Sequence, residues 1–303
     1  MSRHDPGQQY VLCAIAIAAS LCTVSLPPCA GQISDRYVSL DQATGDLRVS
    51  FQSGGTDHTF LVTLPNHVLP QVSVSVEYRD QVYSYRYEVS NEPAAQQPIT
   101  QWHAIIDPEV KIIALDTPST WGHDAVRPTA TDPEASTYVW PPGLHLRWGP
   151  KAGGIIPPGS QQGPFSLSSE GRPGFVRAFF SSTVIHKADD PVYQVPPEVL
   201  RGELHHINNI ELSGVSRMVV GPAFAPLLKP AEIATKLVAQ IQQLIGIRQL
   251  SQTSGFVQDV LKFLNRWAAG ETPSKDELRR QPPATSAEKD VALVVDSSFT
   301  SSK

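Results

Sequence analysis

The chain has 303 residues, with 24 Lys and Arg against 29 Asp and Glu and a formal net charge of −5 at neutral pH. This mildly acidic balance, with no basic run and no Arg/aromatic-interleaved stretch, argues against nucleic acid as a partner. Twenty-seven prolines beside 20 glycines favour strands joined by ordered loops over a helical protein.

Residues 1–31 read as a secretory signal peptide. Val11 to Val24 forms a weakly polar-to-apolar run after a short segment carrying Arg3, Pro27 and Pro28 break it, and Ala30 or Gly31 offers a small residue for cleavage. The run is shorter than the roughly 20 residues a spanning helix needs, so no stable membrane span is expected once the segment is removed. An uncleaved anchor is the alternative. All three cysteines, Cys13, Cys22 and Cys29, fall inside this segment. The processed chain then has no thiol, which excludes cysteine catalysis and thiolate metal sites. It must be stabilised by its core, and a domain of that size buries roughly 75% of its unfolded surface.

Beyond the signal, Asp46 to Phe51 and His58 to Leu64 read as strands around a Ser53-Gly54-Gly55 turn. Val72, Val74, Val76 and Tyr78 then alternate with polar residues, and Tyr83, Tyr85, Tyr87 and Val89 do the same one phase later. Period two with β-branched and aromatic residues on one side marks strands with one buried face. The slip at Asp80 and Gln81 calls for a turn or bulge. Further strands are expected at Ile99–Asp107, Val110–Leu115, Thr137–Trp140, Leu144–Trp148, Phe165–Ser169, Phe175–His186 and Ile210–Val220. Strands at this spacing without helical periodicity predict an antiparallel β-sandwich over 32–226.

The pattern changes at Pro230. Ile233, Leu237, Ile241, Leu244 and Ile245 share one helical face, as do Phe256, Val257, Val260, Leu261, Leu264 and Trp267. These predict a helical hairpin over 227–270. Ser274 to Glu277 has capping-box spacing with only Leu278 following, so any third helix is short. Residues 271–303 read as a polar, mobile tail, with Val291–Val295 a candidate docked strand.

Candidate chemistry is sparse. The histidines His58, His67, His103, His123, His145, His186, His205 and His206 show no metal-ligand spacing, so neither metal nor cofactor is expected. Gly159-Ser160 and Ser213-Gly214 lack the form of a nucleophile elbow. Asp189-Asp190 and Asp132-Pro133-Glu134 read as solvated loop charges, although two carboxylates for glycan cleavage can come from anywhere in a chain. Trp121, Trp140, Tyr138 and Trp148 are candidate ligand-binding residues, because an exposed ring stacks on the apolar face of a sugar. Core packing is the competing role for the same rings. Ile233, Leu237 and Ile241 are candidate interaction residues if the hairpin docks a partner.

Several segments together resemble a family of uncharacterised secreted bacterial β-sandwich proteins. They are Tyr83 to Asn91 followed by Pro98-Ile99 and Trp102, Trp148 with Ile156-Pro157-Pro158-Gly159, Gly163-Pro164-Phe165-Ser166, Pro173-Gly174-Phe175, and Val220-Gly221-Pro222 before the helices. The resemblance covers roughly 46–270. It implies an exported sandwich with a helical appendage and brings no catalytic residues with it.

The expectation is therefore a mainly β, antiparallel sandwich with a C-terminal α-helical hairpin, secreted or held in the periplasm or at the cell surface. Its expected role is non-catalytic binding of an extracellular polysaccharide or an envelope protein. One alternative is a secreted hydrolase acting on glycans or esters with a site of dispersed Asp, Glu and His. Another is a structural assembly protein using the C-terminal helices.

Overall fold

The structure is a computed structural model that describes residues 38–127, 142–182 and 214–300, apart from 42, 43, 45, 54, 275, 277, 279 and 280. The expected signal segment with its three cysteines lies outside the described residues, as do the strand expected at 137–140, His186, His205, His206 and the acid pairs in loops.

The described residues are mainly antiparallel β with helices at the C-terminus. Twelve strands run β1 (Val38–Leu40), β2 (Leu47–Ser53), β3 (Thr56–Val62), β4 (Pro70–Arg79), β5 (Val82–Asn91), β6 (Gln101–Ile106), β7 (Ile112–Asp116), β8 (Trp121–Val126), β9 (Leu144–Pro150), β10 (Gln161–Ser169), β11 (Arg172–Ser181) and β12 (Val215–Phe224). They form a three-stranded meander β1-β2-β3, a four-stranded sheet β4-β5-β10-β7 and a five-stranded sheet β12-β11-β6-β9-β8. Three helices follow: α1 (Pro230–Gly246), α2 (Gly255–Ala268) and α3 (Ser286–Thr300).

The phase slip in the sequence is the β4–β5 turn. Asp80 and Gln81 both take left-handed backbone, at φ 51° and 66°, the geometry of a two-residue type I′ hairpin. Its register places Tyr78 opposite Tyr83 and Val76 opposite Tyr85.

The larger sheets pack face to face through aromatic side chains. Tyr85, Tyr87, Val89, Phe165 and Leu167 face Trp102, Leu146, Trp148, Ala178 and Phe180, all of them buried. Trp102 stacks on Trp148 at 4.1 Å and on Phe180 at 5.7 Å. Phe165 sits edge-on to Trp102 and Trp121 at 5.4 and 5.1 Å, the perpendicular arrangement that ring quadrupoles favour. Tyr85 donates its hydroxyl hydrogen bond to Gly171 O at 2.8 Å.

The helices complete the core rather than standing apart from it. Ile233, Leu237, Ile241 and Leu244 of α1 and Val257, Val260 and Leu264 of α2 are buried in one cluster with the sheets. The tail expected as polar and mobile contains helix α3, and the strand expected at Val291–Val295 is its middle. Val291, Val294, Val295 and Phe299 are buried at the i, i+3, i+4, i+8 spacing of one helical face. The helix begins at a capping box. Thr285 Oγ1 accepts from Glu288 N, and Glu288 Oε2 accepts from Ala284 N and Thr285 N. Glu288 Oε1 also accepts from Ser254, the N-cap of α2, at 2.5 Å.

Candidate functional site

Trp121 and Trp148 are 1% and 0% exposed, so neither presents a face to a ligand. Trp121, expected as a candidate exposed ring, opens strand β8, paired through Pro150 to β9, and its ring turns into the core, the competing role for these rings. Tyr138 and Trp140 lie outside the described residues. Ile233, Leu237 and Ile241 are each fully covered by the protein's own sheets and helices. Their stripe is a packing face, so it offers no apolar surface to a partner.

Converging polar groups do occur, on the outer face of the five-stranded sheet. Register puts His103 opposite Arg147, and Arg147 opposite Asp124. Arg147 Nε donates to Asp124 Oδ1 at 2.8 Å, and Nη2 donates to Oδ2. The His103 and His145 rings lie edge to face at 5.9 Å, and Phe179 packs on His103 at 5.5 Å. Beside them a polar cleft of 370 Å³ is lined by Gln101, His123, Asp124 and Arg147.

The electrostatics of this cluster suit structure better than proton transfer. Burial, assisted by His145 and Arg147, pushes His103 down to about 3, so its imidazole is neutral at physiological pH. The Arg147 hydrogen bond holds the Asp124 carboxyl below its ordinary value, and the same bond raises Arg147. A carboxylate clamped bidentate to a guanidinium is a poor general base, since its lone pairs are already engaged. Among the described residues no group of three or more His, Cys, Asp or Glu is arranged to hold a metal ion. No described helix is long and apolar enough to cross a membrane.

A different surface carries an exposed ring. At the β4–β5 tip Tyr78 is 49% exposed, its ring 4.5 Å from that of buried Tyr83 at a tilt of 36°. A groove of 670 Å³ opens there, walled by Tyr78, Asp80, Gln81, Glu170, Arg172 and Leu227. The turn supplies Asp80 and Gln81, and the β10–β11 turn supplies Glu170 and Arg172. Lys111 Nζ reaches Glu170 Oε1 at 2.5 Å and fixes that carboxylate on the groove wall. Leu227, 94% exposed, stands on the segment leaving β12. The groove thus combines an accessible aromatic face with carboxylate, amide and guanidinium groups, which between them accept and donate hydrogen bonds.

The sequence reading missed this groove because Tyr78 fits the alternation of β4 and reads as core. The available signal was its place as the last ring before a turn of two left-handed residues, where a hairpin runs out of facing sheet. No family model matches the chain, and no curated protein matches it.

Proposed function

We propose that the chain is an exported, non-catalytic binding protein of the cell envelope or extracellular space, and that it holds a polymer of the glycan class in the Tyr78 groove. The observation that carries this is Tyr78 itself, a half-exposed ring backed by Tyr83. The C–H face of a pyranose stacks on such a ring, while its hydroxyls meet Asp80, Gln81 and Arg172. Export rests on the apolar run before Pro27, and kinship with secreted bacterial sandwich proteins rests on the motifs quoted above. The clamped Asp124 and neutral His103 speak against the hydrolase reading, and the covered α1 stripe speaks against assembly through the helices.

Co-sedimentation of the full chain with insoluble polysaccharides and isolated cell walls tests the reading, with Tyr78→Ala run in parallel. Wild type retained and Tyr78→Ala released, with unchanged circular dichroism, would support it. Equal retention of both would remove the groove from the argument, and no retention on any polymer would end the glycan reading.

A further inference from the structure

Between the edge strands of the two large sheets, on a side of the molecule also bounded by the α1–α2 turn and the start of α3, lies a cavity of 210 Å³. Val72 and Val74 of β4 and Val219 of β12 give it an apolar wall. Arg217 is paired with Ala178 and alternates with Val219, which puts it on the inner face of β12, half-buried. Arg248 stands exposed at the rim, at the C′ position just past α1, where its φ of 60° closes a Schellman turn with Arg248 N donating to Ile245 O and Gln249 N to Leu244 O. The next side chain, Gln249, accepts from Met218 N at 2.9 Å and donates to Met218 O at 3.2 Å, tying this turn to β12. From the third side Asp290 of α3 lines the same cavity, half-buried, and burial raises its carboxyl to about 6.

The side chains of Arg217, Arg248 and Asp290 make no hydrogen bond or ion pair with one another or with any described residue. Arg217 and Asp290 are half-buried and Arg248 is exposed; a charge drawn partly out of water is ordinarily paired, because leaving it unpaired costs free energy. Here both signs face one cavity without meeting. The volume is below the roughly 300–1,000 Å³ typical of drug-sized ligands and well above the share of a single water, about 30 Å³.

We propose that this cavity binds a small zwitterion with a free carboxylate and a free ammonium group, an amino acid or dipeptide, with its carboxylate on Arg217 and Arg248 and its ammonium on Asp290. The planar guanidinium of Arg217 suits a carboxylate's two oxygens. The valine wall of Val72, Val74 and Val219 takes a small apolar side chain.

Isothermal titration of the full chain with L-valine and with L-alanyl-L-alanine tests this, beside L-valinamide and N-acetyl-L-valine as probes lacking one charge each. At least one zwitterion should bind saturably, and both blocked derivatives should bind at least about tenfold more weakly. Asp290→Asn and Arg217→Gln should each weaken the zwitterion by a similar factor, and the two unblocked probes separate the amino acid from the dipeptide. Failure of both zwitterions to bind overturns the proposal, as does binding of a blocked derivative equal to its parent. Should Arg217→Gln fail to fold, Asp290→Asn decides alone, since it removes charge without removing volume. Undiminished binding in that variant refutes the site.

Discussion

Asp290→Asn should make the protein more stable at neutral pH, an unusual result for a change on a helix packed against the core. Burial lifts the Asp290 carboxyl from an ordinary 3.8 to about 6. At roughly 1.4 kcal/mol per pH unit, keeping it ionised costs the fold at most about 3 kcal/mol. Its partial exposure and solvent screening reduce that to about 1–2 kcal/mol. The sign follows from proton linkage. The folded state takes up the proton at higher pH than the unfolded state, so the penalty is full above about 6 and fades between about 6 and 3.8. The charged groups around it are Arg217 from β12, Arg248 from the α1–α2 turn and Glu288 on its own helix, which is engaged in the α3 cap. Urea denaturation of wild type and variant at pH 7.5 and at pH 3.5 measures the difference. A gain of about 1–2 kcal/mol at pH 7.5 that is absent at pH 3.5 is expected. An equal gain at both, or a loss at pH 7.5, would refute the account of Asp290 as a carboxylate ionised against its surroundings.

Other consequences of the structure can be measured alongside. Glu288→Ala removes the acceptor for Ala284 N, Thr285 N and the Ser254 hydroxyl, and should cost about 2 kcal/mol, read as a lowered thermal midpoint. His103→Gln should flatten the acid side of the stability profile. The buried imidazole resists protonation down to about 3, so the wild type is fully stable above about 6.5 and loses up to about 5 kcal/mol as pH falls toward 3; urea midpoints at pH 7.5 and 4.5 report the slope. Trp148→Ala should cost about 3–5 kcal/mol through the cavity left beside Trp102, whereas Tyr78→Ala should change stability by less than about 1 kcal/mol while releasing the protein from its polymer. Thermal melts of the pair separate the core ring from the surface ring.

Much of the fold was legible because alternation and helical spacing are local. The β4–β5 hairpin, the five-stranded sheet's Trp102 and Trp148 strands, and the apolar stripes of α1 and α2 are all written in residues within one element of each other. Helix α3 was missed although its marks are equally local. Thr285-Ser286-Ala287-Glu288 is a capping box, followed by Val291, Val294, Val295 and Phe299 on one face. The consecutive Val294-Val295 carried β propensity and outweighed the cap, and packing against β11 and β4 settled the conflict for helix. Trp121 reads as a candidate exposed ring for the opposite reason, whereas it is buried. Gly122 and the polar residues His123 and Asp124 look like a loop, and only pairing with β9, twenty-odd residues away, makes the segment a strand. The candidate sites were least legible of all. Asp290, Arg217 and Arg248 come from three elements, and nothing in a linear pattern shows that their charges are unpaired.

The helices also show why their apolar stripe is not a spare surface. Strand β12 is the edge of its sheet, and β6 pairs with β11 only over Arg177–Ser181, so Met218 and Phe175 have backbone groups with no neighbouring strand to meet. Two glutamine side chains take that strand's place. Gln249 accepts from Met218 N and donates to Met218 O, and Gln240 of α1 does the same for Phe175 at 3.0 Å in both directions. A primary amide has the donor and acceptor of a peptide group, so each glutamine ends a ladder that would otherwise stand open, the liability of any sheet edge. Replacing Gln240 by Ala should therefore cost more than the loss of one surface contact, about 1–3 kcal/mol, because it strands a buried N–H and carbonyl. Hydrogen exchange at the Phe175 amide is the direct readout. Exchange that stays slow in Gln240→Ala would mean that α1 shields the edge by bulk alone and that the amide pairing contributes little.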